Sequence, residues 1–190
     1  MLRELHKSLI CHIKPLVNDI MDYYGNVLDV PVLIKHPHMD LKTESYPCIT
    51  IQFLNSDENL QYTDVNSYKV VPSATLGMVD IMSEPTIYDF NFQLDVWAKD
   101  PITRDAIVGS LMFNLPKRGL INIEYSDLES LPCNYTCGRL ITTDYVNNHN
   151  ETIFRNTLDI KLQTPIFNQE IVTTVIVENI NININNKEDK

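Results

Sequence analysis

The chain is poor in glycine, with five in 190 residues. No G-x-x-x-x-G-K-[ST] loop is spelled anywhere, and little else is available to cradle a phosphate. It is also poor in base. Lys and Arg number 15 against 25 Asp and Glu, a formal net charge of −10. A protein that grips nucleic-acid phosphates carries the opposite excess. An acidic surface suits solubility, or DNA that must slide past without sticking. No run of about 18 apolar residues occurs, so no membrane span is expected. The opening "MLRELHKSLICHIKP" is charged throughout and lacks the apolar centre of a secretory signal. The sequons at Asn134 and Asn150 are therefore expected to go unused, and Cys11, Cys48, Cys133 and Cys137 to stay reduced in a cytosol. No G-x-S-x-G elbow is present, and Ser110 in "VGSL" falls inside an expected helix.

What is present is periodic. Leu2, Leu5, Leu9, Ile13, Leu16, Ile20 and Tyr24 recur at helical spacing. Pro15 interrupts that pattern, predicting a kink or two abutting helices, and Gly25 reads as a C-terminal stop. "PVLIKHP" (31–37) and "YPCITIQFL" (46–54) read as strands, the second with Ile49, Ile51 and Phe53 on one face. "NSDEN" (55–59) reads as a turn and 60–71 as a strand of mixed faces. Residues 72–85 read equally as a loop or a short helix. The clearest strand is "YDFNFQLDVW". Tyr88, Phe90, Phe92, Leu94 and Val96 point one way, and Asp89, Asn91, Gln93 and Asp95 the other. Asp100 then caps a helix whose first residue is Pro101, with Ile102, Ala106, Ile107 and Leu111 as its expected buried stripe. "GLINIEY" (119–125) is a further strand; 137–146 and 152–164 form an expected hairpin, and 170–182 a last strand or arm.

The predicted fold class is α+β. An antiparallel or mixed sheet of about five or six strands is packed on one face by the N-terminal helix and a second helix near 101–115. The expected domains are 1–164, and 165–190 as a β-rich arm with a frayed tail.

Few constellations point to chemistry. Cys133 and Cys137 are spaced C-x3-C with His149 downstream, one ligand short of a zinc site. His36, His38 and Asp40 form a loop-like cluster, and a small metal-dependent hydrolase built on His36, His38, Cys133 and Cys137 is the reading from another class. His6 and His12 read as surface or boundary residues. The expectation is no catalytic residue, no metal and no cofactor. Trp97 reads either as a core anchor closing helix onto sheet or as an interface anchor. Tyr62, Tyr68, Tyr135 and Tyr145, in weaker strands or loops, suit subunit contacts.

The order of a long N-terminal helix, "YPCITIQ", "YDFNFQLDVWAKDP" running into a helix, then strands ending in "FRNTLDIKLQT", resembles the tail terminator (tail-completion) proteins of long-tailed bacteriophages. The resemblance spans roughly 1–164. Extra residues around 55–85 and from 165 onward depart from the smaller members. The resemblance implies a virion protein, assembled in the host cytoplasm, that forms a homo-oligomeric ring, usually a hexamer. Such a ring caps the tail tube, stops its polymerisation and joins the tail to the head. Implied partners are the tail tube protein, a neck or head-completion protein, and a sheath protein if the tail contracts. DNA passes through without being specifically bound. A neck or head-completion ring subunit is the alternative of the same class. On this reading 60–71 and 170–182 pair with neighbours by strand addition. The candidate interface residues are Tyr62, Tyr68, Trp97, Val172 and Ile176.

Overall fold

The structure is a computed structural model. It describes residues 1–22, 24–34, 46–61, 68–72, 78–83, 85–124, 130–146, 152–166 and 171–175, with 68–72, 78–83, 144–146 and 171–175 described by backbone alone. The chain divides into two compact units, Met1–Asn59 with Ile87–Thr164, and Leu60–Thr86 with Pro165–Lys190.

The first unit opens with helix α1, Leu2–Ile13, which gives way to a 3-10 turn at Lys14–Val17. Pro15 is the reason. Its ring has no N–H to donate and crowds the carbonyl one turn back, so the α-helix cannot run through it. Leu5, Leu9, Ile13 and then Val17 lie almost fully buried, each contributing about 1.5–3 kcal/mol of apolar burial. Gly25 is not the helix stop expected of it. The helical part has ended by Val17, and Gly25, at φ 82°, sits in a loop closed by a bridge between Met21 and Val27.

Six strands form one mixed sheet: β1 (Val32–Ile34), β2 (Cys48–Glu58), β5 (Thr86–Ala98), β6 (Arg118–Ile123), β7 (Leu131–Val146) and β8 (Thr152–Ile166), in the order β1-β2-β5-β8-β7-β6. β1 runs parallel to β2; β2–β5, β7–β8 and β6–β7 pair antiparallel. "NSDEN" is not a turn. β2 continues to Glu58 across a bulge between Phe53 and Asn55, because the long β5 offers it partners all the way to Tyr88. Helix α2, Pro101–Asn114, starts as expected, with Asp100 Oδ1 accepting from the Thr103 N–H at 2.8 Å.

Both helices lie on one face of this sheet. On α1 the His6 ring meets Phe92 edge-on at 5.3 Å and His12 meets Tyr135 at 5.4 Å; on α2 the Arg104 guanidinium lies 5.7 Å from the Phe154 ring. Ile49, Ile51, Phe92, Leu94, Ile107, Ile123 and Leu162 fill the space between. The inward residues of α2 are Ile107, Val108 and Leu111, whereas Ile102 is 55% exposed. The helix carries apolar residues on both sides, so periodicity does not orient it. Its orientation goes with Ser110, whose hydroxyl donates to the Leu16 carbonyl at 2.7 Å.

The second unit contains a three-stranded antiparallel sheet, β3 (Tyr68–Pro72), β4 (Met78–Ser83) and β9 (Ile171–Val175), in the order β3-β4-β9. The region read as a loop or short helix thus contains a strand, whose register aligns Val70, Ile81 and Val172 in one row. The excursion leaves at the end of β2 and returns at β5, where the Asn59 N–H bonds to the Ile87 carbonyl at 2.8 Å. Among the described residues no helix is long and apolar enough to cross a membrane.

Candidate functional site on the helix-free face

Strand alternation sends every second residue of β5 away from the helices. Asp89, Asn91, Gln93, Asp95 and Trp97 therefore share the face that no described helix covers. Register adds Cys48, Thr50 and Gln52 from β2, directly opposite Trp97, Asp95 and Gln93. From β8 come Ile153, Arg155, Thr157 and Lys161.

Asp95 is the centre, with none of its surface exposed. An isolated buried carboxylate would cost several kcal/mol of desolvation, so it has to be bonded. Arg155 Nη2 donates to both Asp95 oxygens at 2.9 Å, Thr157 Oγ1 to Oδ1 at 2.8 Å, and Gln93 Nε2 to the two oxygens at 3.0 and 3.1 Å. The Arg155 guanidinium also lies 4.9 Å from the Trp97 ring, a cation–π distance. Trp97 in turn donates from Nε1 to Thr50 Oγ1 at 2.9 Å and packs with Cys48, Ile153 and Tyr46. Arg155 Nε is buried and without a partner among the described residues.

A second ion pair sits along the same two strands. Lys161 Nζ is 2.6 Å from Asp89 Oδ2, and Asn59 Nδ2 donates to both Asp89 oxygens at 3.1 and 3.0 Å. Burial alone would raise the Asp89 pKa, but hydrogen bonds from Lys161, Asn59 and Gln163 outweigh it and hold the carboxyl below its ordinary value. The geometry follows from spacing. Asp89 and Asp95 are six apart on β5, and Arg155 and Lys161 six apart on the adjacent β8. The earlier acid meets the later base, as on strands running in opposite directions.

Chemically, this is a locking arrangement. Asp95 has its acceptor positions filled by Arg155, Thr157 and Gln93, and the two ion pairs fix β5 against β8. A slip of one residue would carry both carboxylates to the helix side.

The remaining sequence candidates scatter. Trp97 is buried, but on the face opposite the helices, so it does not close helix onto sheet, and little of its own surface is left for a partner. Tyr68 and Val172 lie in β3 and β9, opposite Ser83 and Ile81; Tyr62 and Ile176 fall outside the described residues. Tyr135, expected at a contact surface, is buried instead. Its ring covers Gly119 of the edge strand β6, where a Cβ would come within 2.7 Å of it; an aromatic laid over an edge glycine replaces the packing that glycine lacks. His6 is buried as well, its Nδ1 2.8 Å from the Leu2 carbonyl.

Cys133 and Cys137 point to the helix side. Cys133 Sγ is 3.0 Å from Thr164 Oγ1, and Cys137 Sγ lies 3.8 Å from the Pro116 carbonyl. Burial pushes both thiols up, Cys137 to about 11. His36, His38, Asp40 and His149 fall outside the described residues, and no cluster of three metal-ligating side chains occurs among the described ones. Sequence reading passed over Thr50, Arg155 and Thr157; the matched six-residue spacing of acids and bases was the signal that could have found the Arg155 pair.

No family model matches the chain, and no curated protein matches it.

Proposed function

We propose that the chain is a non-enzymatic structural subunit of a phage virion, a tail terminator that assembles into a ring on the end of the tail tube. It stops tube growth and presents a surface to the neck. The observation that carries this reading is how the chain partitions. The segments that depart from the smaller terminators, around 55–85 and from 165 onward, contribute β3, β4 and β9, which pair with one another in a sheet of their own. The rest keeps the element order on which the resemblance rests: helix, strand, aromatic strand running into a capped helix, then antiparallel strands.

Two further features support it. The most ordered polar network is spent on tying strands together, as suits a part that bears load. The sheet also ends in strands β1 and β6, each with one free side among the described residues, and free edges serve heterologous contacts between copies.

The test is assembly. A hexamer weighs about 131 kDa, six times the 21.9 kDa chain. Light scattering of the pure chain, alone and mixed with phage tail tubes, is expected to reveal a ring or a capped tube of fixed length. A strict monomer under both conditions, with tubes still growing, rejects the reading.

A further inference from the structure

Apart from Leu120 on β6, the described large apolar side chains of the first unit that are more than half exposed lie on two elements. On α2, Phe113 is 90% exposed, and Ile102 and Met112 are more than half exposed. Ile102, Gly109 and Phe113 follow one line along the outer side of the helix, at spacings of seven and four. Gly109 leaves a notch in that line, since a Cβ there would meet nothing within 4 Å. The second element is the loop Met21–Val27, where Tyr24 is 84% exposed and Met21 and Val27 are more than half exposed.

Hydrogen bonds tie the described residues of the loop to Asp22. Asp22 Oδ1 accepts from the Tyr24 and Asn26 N–H groups, both at 2.8 Å, and Asp22 Oδ2 accepts from Asn26 Nδ2 at 3.0 Å. The Asp22 N–H bonds to the Asn26 carbonyl at 2.8 Å. A side chain presented on such a frame loses little freedom when it is bound. The helix is equally well set, by its Asp100 cap and the Ser110 bond to Leu16.

Charge identifies the occupant. Around the loop, 18–29 carries Asp19, Asp22 and Asp29 and no base. The segment 99–118 carries Lys99, Arg104, Lys117 and Arg118 against Asp100 and Asp105. Arg104 and Asp105 pair with each other, Asp100 follows Lys99, and the basic surplus is the exposed Lys117 and Arg118 just past the C-terminal end of α2. One surface is apolar and acid-rimmed; the other is notched, apolar and basic at its C-terminal end. We infer that they are the two sides of one contact between copies of this chain, with Tyr24 of one copy seated beside Gly109 and Phe113 of the next. The inference rests on the self-assembly proposed above and names the surfaces that carry it. Rim charges of opposite sign set partner and register, while the aromatic anchors supply the affinity.

The test uses the full chain, alone and with tail tubes, followed by sedimentation. Tyr24→Ser and Phe113→Ser, both at exposed positions that leave the core intact, are each expected to weaken assembly by more than about tenfold. Asp19→Lys with Asp29→Lys should also weaken it, and Lys117→Glu with Arg118→Glu in the same chain should restore it. In a Cys11→Ser background, Tyr24→Cys chains should cross-link to Phe113→Cys chains in a mixture, and neither variant should do so alone. Assembly untouched by Tyr24→Ser and Phe113→Ser overturns the contact and leaves the ring standing. Weakened assembly that the charge exchange does not restore overturns the assignment to a second copy. A wild-type chain that never assembles overturns both proposals.

Discussion

The two faces of the six-stranded sheet are held by different physics. On the helix side, Leu5, Leu9 and Ile13 of α1 and Ile107 and Leu111 of α2 close over Phe92 and Leu94. That attraction is non-directional and grows with area. On the other side the fixed points are two acid–base pairs, Asp95–Arg155 and Asp89–Lys161, with Trp97 bonded to Thr50. Those bonds add little net stability, because removing the ions from water offsets much of their attraction. What they add is register. The apolar side accepts neighbours of about the right size; the polar side accepts one alignment of β5 on β8.

Substitutions can break that contrast in order of effect. Phe92→Ala opens a cavity under α1 and should lower unfolding stability by about 3–5 kcal/mol, read by chemical denaturation. Arg155→Ala leaves the fully buried Asp95 without its cation and should cost about 3 kcal/mol. Replacing Asp95 and Arg155 together by apolar residues of similar volume should recover much of that loss. If the pair fixes register, the double variant will show altered or heterogeneous β5–β8 cross-strand contacts by NMR while remaining folded. A double variant with unchanged contacts and full stability would show that the apolar face alone sets the alignment. Thr50→Val removes the acceptor of the buried Trp97 N–H and should cost about 1–2 kcal/mol, with a change in Trp97 fluorescence.

Acid separates the faces more finely. Burial lowers the His12 pKa, so its neutral form is favoured in the folded state. Its contribution is complete above the unfolded value of about 6.5 and is lost as pH falls from there through the folded value. Asp89 is also depressed, so its contribution is present above the ordinary aspartate value and is lost as pH falls below it. Stability should therefore fall in two stages. His12→Asn is expected to abolish the first, and Asp89→Asn the second, when denaturation midpoints are followed against pH.

The helix side was the legible one. The steps of three and four through Leu5, Leu9 and Ile13, and the alternation from Tyr88 to Val96, name its contents directly. The polar side was half legible. Alternation told which residues of β5 face it, but its energetics depend on β8, which lies more than fifty residues later and which hairpin logic assigns only to β7. Three other features escaped for local reasons. β4 is rich in apolar residues without strict alternation, and its strand state comes from partners on both sides. The Met21–Val27 loop is set by hydrogen bonds to one Asp22 side chain, inside what reads as a helical repeat. α2 carries apolar residues on both sides, which hides its outward face.

The bond from Asn59 to Ile87 has a further consequence. The two ends of the span 60–86 already touch, so the large sheet is indifferent to what is strung between them. A two-residue turn, a longer hairpin or an unrelated graft would close the same gap, because loop-closure entropy grows only slowly with length. That span is where a change of chain length should disturb the large sheet least.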